Sequence, residues 1–165
     1  MTDGQIYMSS VLFGEGFKPA IDMGLSVSRI GNRVQWAAMK KMTGMLQLEF
    51  VRYKELERMT RIKAGASADV EKRLQRGKVL EEVLKQNANE PVAMDDQIIS
   101  LFALQNQFFL NTSPAEVRDK LEALLKQIHA NRPDLIDELN QGKAMKDSIR
   151  EGLISELAKF SNPSV

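Results

Sequence analysis

The residue with the clearest chemical potential is Arg29, a cation set among small and apolar residues in the stretch GLSVSRIGNR, Gly24 to Arg33. A guanidinium is planar, permanently charged and able to grip two oxygens of a phosphate or carboxylate. On a loop stiffened by small neighbours such as Gly24, Ser26 and Ser28 it could be delivered to an oxyanion; on a loose loop it would be an ordinary surface charge. Residue types alone leave both readings open. His129 is the only histidine, and beside Ile128 on a helical pattern it reads as solvated or packed rather than catalytic. Asp95 and Asp96 could form an acid–base pair, but two aspartates at a helix start are also what the helix dipole favours, and that reading is preferred. Met39, Met42 and Met45 lie close together on one helix and read as core filling, or as an adaptable partner surface. Arg52, Arg58, Arg61, Lys63, Arg73 and Arg76 could face a nucleic acid, but the interleaved glutamates favour a solvated, ion-paired face. No glycine-rich phosphate loop, metal-ligand spacing or nucleophile with a nearby base is present.

These residues need elements to hold them. QIYMSSVLF, Gln5 to Phe13, is rich in strand formers and runs into Gly14, Gly16 and Pro19, so it predicts a short strand followed by loops. That strand has no neighbour in sequence to pair with, so either it docks on something later in the sequence or its sheet partners are missing, and missing partners are preferred. From Arg33 the period becomes helical. Ala38, Met42, Met45 and Leu48 share one face, widened by Leu46, Phe50, Tyr53 and Leu56. Val70, Leu74, Gly77, Leu80 and Leu84 predict a second helix that stops at QNANEP, Gln86 to Pro91. A third runs from about Asp95 to Leu110, with Ile98, Ile99, Phe102 and Phe109 inward. Ser113, Pro114 and Glu116 spell a capping box ahead of a fourth, marked by Val117, Leu121, Leu124 and Ile128. Pro133 opens a short fifth that Gly142 ends, and Met145, Ile149, Leu153, Leu157 and Phe160 mark a sixth. The class is mainly α: a helical bundle of about five to six helices after a short extended or β segment.

Composition bounds the rest. The sequence has 165 residues, 43% of them apolar and 27% charged, enough for one globular core. It has no cysteine, which removes disulfides and thiolate metal sites. No apolar run approaches the ~20 residues of a membrane span. The net charge of +1 covers a basic middle and a mildly acidic tail, too weak an asymmetry to name a polyanionic partner.

Several ordered motifs then carry a family resemblance: TDGQIY, KPAIDMGLSVSRIG, AMKKMTGMLQLEFVRYKELE, LQRGKVLEEVLKQ and PVAMDDQIISLFA. Over residues 2–110 the sequence resembles the α subunit of F-type ATP synthases. The related catalytic β subunit has a similar RYKEL helix, but the GLSVSR and Met39-Lys40-Lys41 stretches favour α.

The resemblance implies the C-terminal part of a regulatory subunit, not an enzyme on its own. Residues 1–35 would be the end of an α/β nucleotide-binding domain, poorly ordered alone or borrowing contacts from another copy, and 36–165 the C-terminal helical domain. Met1 would be a start placed at the head of a fragment, or mark a divided gene. Arg29 would act as an arginine finger in the catalytic site of a neighbouring β subunit, and Gln86 would lie near the adenine of the non-catalytic nucleotide. Implied partners are β subunits, the γ subunit of the central stalk and other α subunits, with no nucleic acid and no direct membrane insertion. ATP or ADP with magnesium would be bound in the intact complex and none in this polypeptide alone. The location would be the cytoplasmic side of a membrane, as a peripheral part. Departures from the family pattern are Ala88 in place of a second adenine-side glutamine, the bulk of Asn32, Arg33 and Val34 after the arginine, and the turn Arg61–Ala68, which lacks the expected aspartates. The alternative from another class is a stand-alone helical module that binds an acidic or nucleic-acid partner.

Overall fold

The computed structural model describes residues 3–62 and 67–161. Helices dominate, as the periodicities require, and the protein divides into two units. One is built from the residues up to Gln35 together with Thr43–Pro91, the other from Trp36–Met42 together with the residues from Val92 onward. No described helix is long and apolar enough to cross a membrane.

The first unit begins with a correction. The expected strand at Gln5–Phe13 is only β1 (Gly4–Gln5), and the next element is a short helix, α1 (Ser10–Gly14). Ser9 caps this helix, its hydroxyl accepting from the Leu12 N–H at 3.3 Å, so strand formers yield to a local cap. Nor does the strand lack a partner. It pairs antiparallel with β2 (Val27–Ser28), in the register Gly4 to Ser28 and Gln5 to Val27. Gly16, at φ +82°, supplies the left-handed turn after α1, and Phe17 is buried against Phe50 with ring centroids 5.2 Å apart.

After the single turn of α2 (Gly31–Val34), the expected first long helix is two: α3 (Ala37–Thr43) and α4 (Leu46–Ile62). The break at Gly44-Met45 resets the helical phase. Ala38 and Met42 are buried as the pattern predicts, but Met45 is 67% and Leu48 43% exposed. α5 (Ala68–Leu84) is capped by Ser67 and gives way at Lys85, just before the QNANEP stretch expected to stop it. It packs along α4 where Gly77 lies against the Tyr53 ring.

In this unit Lys54 of α4 is a hub. Its ammonium lies 3.2 Å from Glu15, 3.2 Å from Glu57 and 3.0 Å from Glu81. Tyr53 donates its hydroxyl to Glu81 at 2.9 Å, and Arg61 pairs with Glu15 at 3.1 Å and Glu57 at 3.3 Å. Burial works against the charged form of Lys54, but Glu81, Glu15 and Glu57 outweigh it and hold its pKa above the ordinary lysine value. Burial first, and then the Glu81 charge, push the Tyr53 phenol upward as well.

The second unit contains α6 (Met94–Gln105), α7 (Val117–Asn131), α8 (Pro133–Gly142) and α9 (Asp147–Ser161), which pack on one another. The third helix is shorter than expected: it stops at Gln105, and Phe109 reaches the core from a turn in which Gln107 adopts φ +59°. The capping box at Ser113 and Glu116 forms, around a 3-10 turn at Pro114–Glu116 that feeds α7. The left-handed position after α8 falls on Lys143, at φ +51°, and not on Gly142. The Lys143 carbonyl accepts from the Ala38 N–H at 3.0 Å, which ties the α3 segment into this unit. Glu156, 1% exposed, is satisfied by Lys159 at 2.7 Å and Gln127 at 3.2 Å. The Lys159 hydrogen bond, against the cost of burial, holds its carboxyl below the usual value.

Candidate functional site

Arg29 sits at the exit of β2, and the backbone around it is pinned on both sides. Its own N–H donates to the Asp3 carbonyl at 2.9 Å. Upstream, the Asp22 carboxylate accepts the N–H groups of Gly24 at 2.9 Å and Leu25 at 3.0 Å, an Asx turn. The Asp22 carbonyl accepts from Ser26 N–H at 3.0 Å, and the Asp22 N–H donates to the Tyr7 carbonyl at 2.8 Å. The Tyr7 N–H in turn donates to the Ser26 hydroxyl at 3.0 Å. Downstream, the Ser28 hydroxyl accepts from Gly31 N–H at 2.9 Å, and a Cβ at Gly31 would come within 2.7 Å of that hydroxyl oxygen. Gln47 of α4 adds a longer reach, donating its side-chain amide to the Met23 carbonyl at 2.6 Å.

The serines and glycines of GLSVSRIG thus work as hydrogen-bond partners and as room for close backbone approach, not as loose linker. The Arg29 side chain is exposed. Among the described residues its guanidinium has no ion pair or side-chain hydrogen bond. An anchored backbone carrying an unengaged cation can offer two N–H donors to an oxyanion without first breaking an ion pair.

Gln86 lies just past α5. Its backbone N–H donates to the Lys18 carbonyl at 2.8 Å while its side chain is exposed. Ala88 follows in a turn and is also exposed. Among the described residues no hydrogen bond or ion pair links Gln86 to Arg29, so the two are separate features of one unit.

The other candidates resolve into packing and pairing. Asp95 is buried at the start of α6, accepting from the Asp96 N–H at 3.1 Å and from the Asn140 side chain at 3.1 Å. Asp96 meets His129 at 2.7 Å. Pairing across three helices was not legible from spacing, since the residues come from α6, α7 and α8. Within the basic run, Arg61 pairs with Glu15 and Glu57, Arg73 with Asp69 at 3.0 Å and Arg76 with Glu49 at 2.6 Å. Lys63 and half of the Arg61–Ala68 turn, residues 63–66, lie outside the described residues. Met39 and Met42 are buried, whereas Met45 joins Leu48 and Met59 at the surface.

Comparisons with known proteins bear on the family of the chain as a whole. A family described as "ATP synthase alpha/beta chain, C terminal domain" matches residues 35–160. The ATP synthase subunit alpha of Petrotoga mobilis is 34% identical over 98% of this chain and 32% of its own length. That of Clostridium botulinum (strain Eklund 17B) is 34% identical over 97% and 32%. The Rickettsia bellii subunit is 31% identical over 97% of this chain and 31% of its own. The protein spans about a third of the length of these curated relatives.

Proposed function

The protein belongs to the family of C-terminal domains of ATP synthase alpha and beta subunits, and from that premise we propose that it serves as the C-terminal part of the α subunit of a rotary ATP synthase, where Arg29 completes a catalytic site on a neighbouring β subunit. Its similarity to α subunits extends beyond the matched domain, over 97–98% of its length. In this role residues 1–35 are the end of a nucleotide-binding domain. Ile6, Met8, Val11, Phe13, Val27 and Val34 support that assignment, because all six stay exposed in a segment that is otherwise hydrogen-bonded. Residues 36–165 pack beside β and other α subunits around the γ stalk, on the cytoplasmic side of a membrane.

The observation that carries the site is Arg29, free of ion pairs among the described residues on a backbone anchored at Asp3, Asp22 and Ser28. Its guanidinium stabilises the charge that develops on a phosphate during transfer to or from the partner's nucleotide, the substrate of the complex. Gln86 contributes an adenine-side contact to a non-catalytic nucleotide, ATP or ADP with magnesium; its exposed amide fits that use, and Ala88 adds no second amide.

The test is turnover of the assembled complex carrying Arg29→Ala or Arg29→Lys. An arginine finger predicts a fall on the order of 10³-fold or more for Arg29→Ala with nucleotide binding retained. Arg29→Lys should recover only a small part, since an ammonium cannot grip two oxygens in one plane. Full turnover by Arg29→Ala refutes the assignment.

A further inference from the structure

Resting on the reading of Arg29 as a finger, we propose that Gln47 of α4 is its positioning residue, fixing the arginine-bearing turn to the first long helix. The bonds that shape the turn are local. Asp22 wraps residues 24–26, and Tyr7, Asp3 and β1 tie it to a stretch of the same short segment. They set the form of the elbow, and the segment's other ties to α4, Glu15 to Lys54 and Arg61 and Phe17 to Phe50, lie outside the turn itself.

Gln47 holds the turn itself. Its amide donates to the Met23 carbonyl at 2.6 Å, across 24 residues of sequence. One helical turn later on the same face of α4 comes Val51, and Gly24 lies close enough that a Cβ there would touch the Val51 side chain at 3.4 Å. The i, i+4 pair therefore receives the turn at two neighbouring points, one polar and one apolar. Gly24 leaves the space for this approach. The carbonyl gripped by Gln47 belongs to the residue just after Asp22, so a rotation of the Asx turn strains the Gln47 bond. Gln47 is itself exposed, and an exposed amide adds little to folding. Its loss is felt in where Arg29 points.

The experiment measures steady-state ATP turnover of the assembled complex with Gln47→Ala, Gln47→Glu and Gln47→Lys, each alone and with Arg29→Ala, alongside the thermal midpoint of the complex. Losing one net hydrogen bond should lower kcat about threefold to tenfold in Gln47→Ala and Gln47→Glu, with KM and the midpoint unchanged. Gln47→Lys keeps a donor for the carbonyl and should restore most of the rate. Gln47→Ala added to Arg29→Ala should cost nothing more, because the two act through one group. If Arg29→Ala is slow but Gln47→Ala turns over at the normal rate, or if Gln47→Ala slows the Arg29→Ala complex by its usual factor, Gln47 does not position the arginine. If Arg29→Ala turns over at full rate, the finger reading falls instead, and this proposal with it.

Discussion

Gly77→Ala puts one methyl group into the closest approach between α4 and α5. A Cβ at that position would lie 1.9 Å from Cδ2, 2.2 Å from Cγ and 2.6 Å from Cε2 of Tyr53. Ordinary carbon contacts begin near ~3.5 Å, so the ring or the helix must move by well over an ångström. The contacted atoms are the near side of the ring, which a rotamer adjustment cannot lift clear. Tyr53 is buried and its hydroxyl holds Glu81 at 2.9 Å, so movement also strains a bond to the Lys54 hub. Overpacking of this kind costs about 1–3 kcal/mol, and the hydrogen bond adds about 1 kcal/mol. Alanine returns about 1 kcal/mol of helix propensity over glycine. The net expectation is a loss of about 1–3 kcal/mol. Urea unfolding followed by circular dichroism measures it, and a Tyr53→Ala change in the same protein should remove the overpacking share of the penalty. If Gly77→Ala is as stable as the parent, or more so, propensity has won and the packing argument is wrong.

Two further substitutions read the charge networks. Lys54→Met leaves Glu15, Glu57 and Glu81 together without their common cation and should cost about 2–3 kcal/mol at neutral pH in urea unfolding. Because the folded-state pKa of Lys54 is raised, its contribution is complete below 10.5 and fades as pH climbs through the folded value, so the gap between parent and variant should narrow in strong alkali. Glu156→Gln should cost about 1–2 kcal/mol near neutrality through the weakened bonds to Lys159 and Gln127. The folded-state pKa of Glu156 is lowered, so its stabilisation is present above 4.5 and is lost as pH falls through the folded value; the variant should show a shallower acid slope below 4.5. Equal slopes in an acid unfolding series would contradict this.

Most helices from α5 onward could be read from spacing and punctuation, because two announce their starts, the Ser113 and Glu116 box before α7 and Pro133 at the head of α8, although α6 is buried all round from Ile98 to Leu104. The break between α3 and α4 could not. Ala38, Met42, Met45 and Leu48 continue one stripe on paper, and only the turn at Gly44 rotates Met45 outward. The N-terminal segment misled for a related reason. Strand formers at Ile6–Phe13 count for less than Ser9 at a helix start, and the partner strand hides in the irregular stretch that carries Arg29. Arg29 itself was visible as an odd cation among small residues. Its supports were not, since Asp3, Tyr7 and Gln47 reach it from distances along the sequence that no periodicity marks. For the same reason Lys54 and Glu57 could be paired from helical spacing, whereas Glu15 could not.

The interleaving of the two units has a consequence for synthesis on the ribosome. The residues of the first unit have all been made once Pro91 emerges, but Trp36–Met42 lies inside that stretch and belongs to the other unit. The Ala38 N–H waits for a carbonyl on Lys143, and the apolar side chains of Ala38 and Met42 stay uncovered in the nascent polypeptide meanwhile. That short segment is where a chaperone, or a mistaken partner, would find its opening.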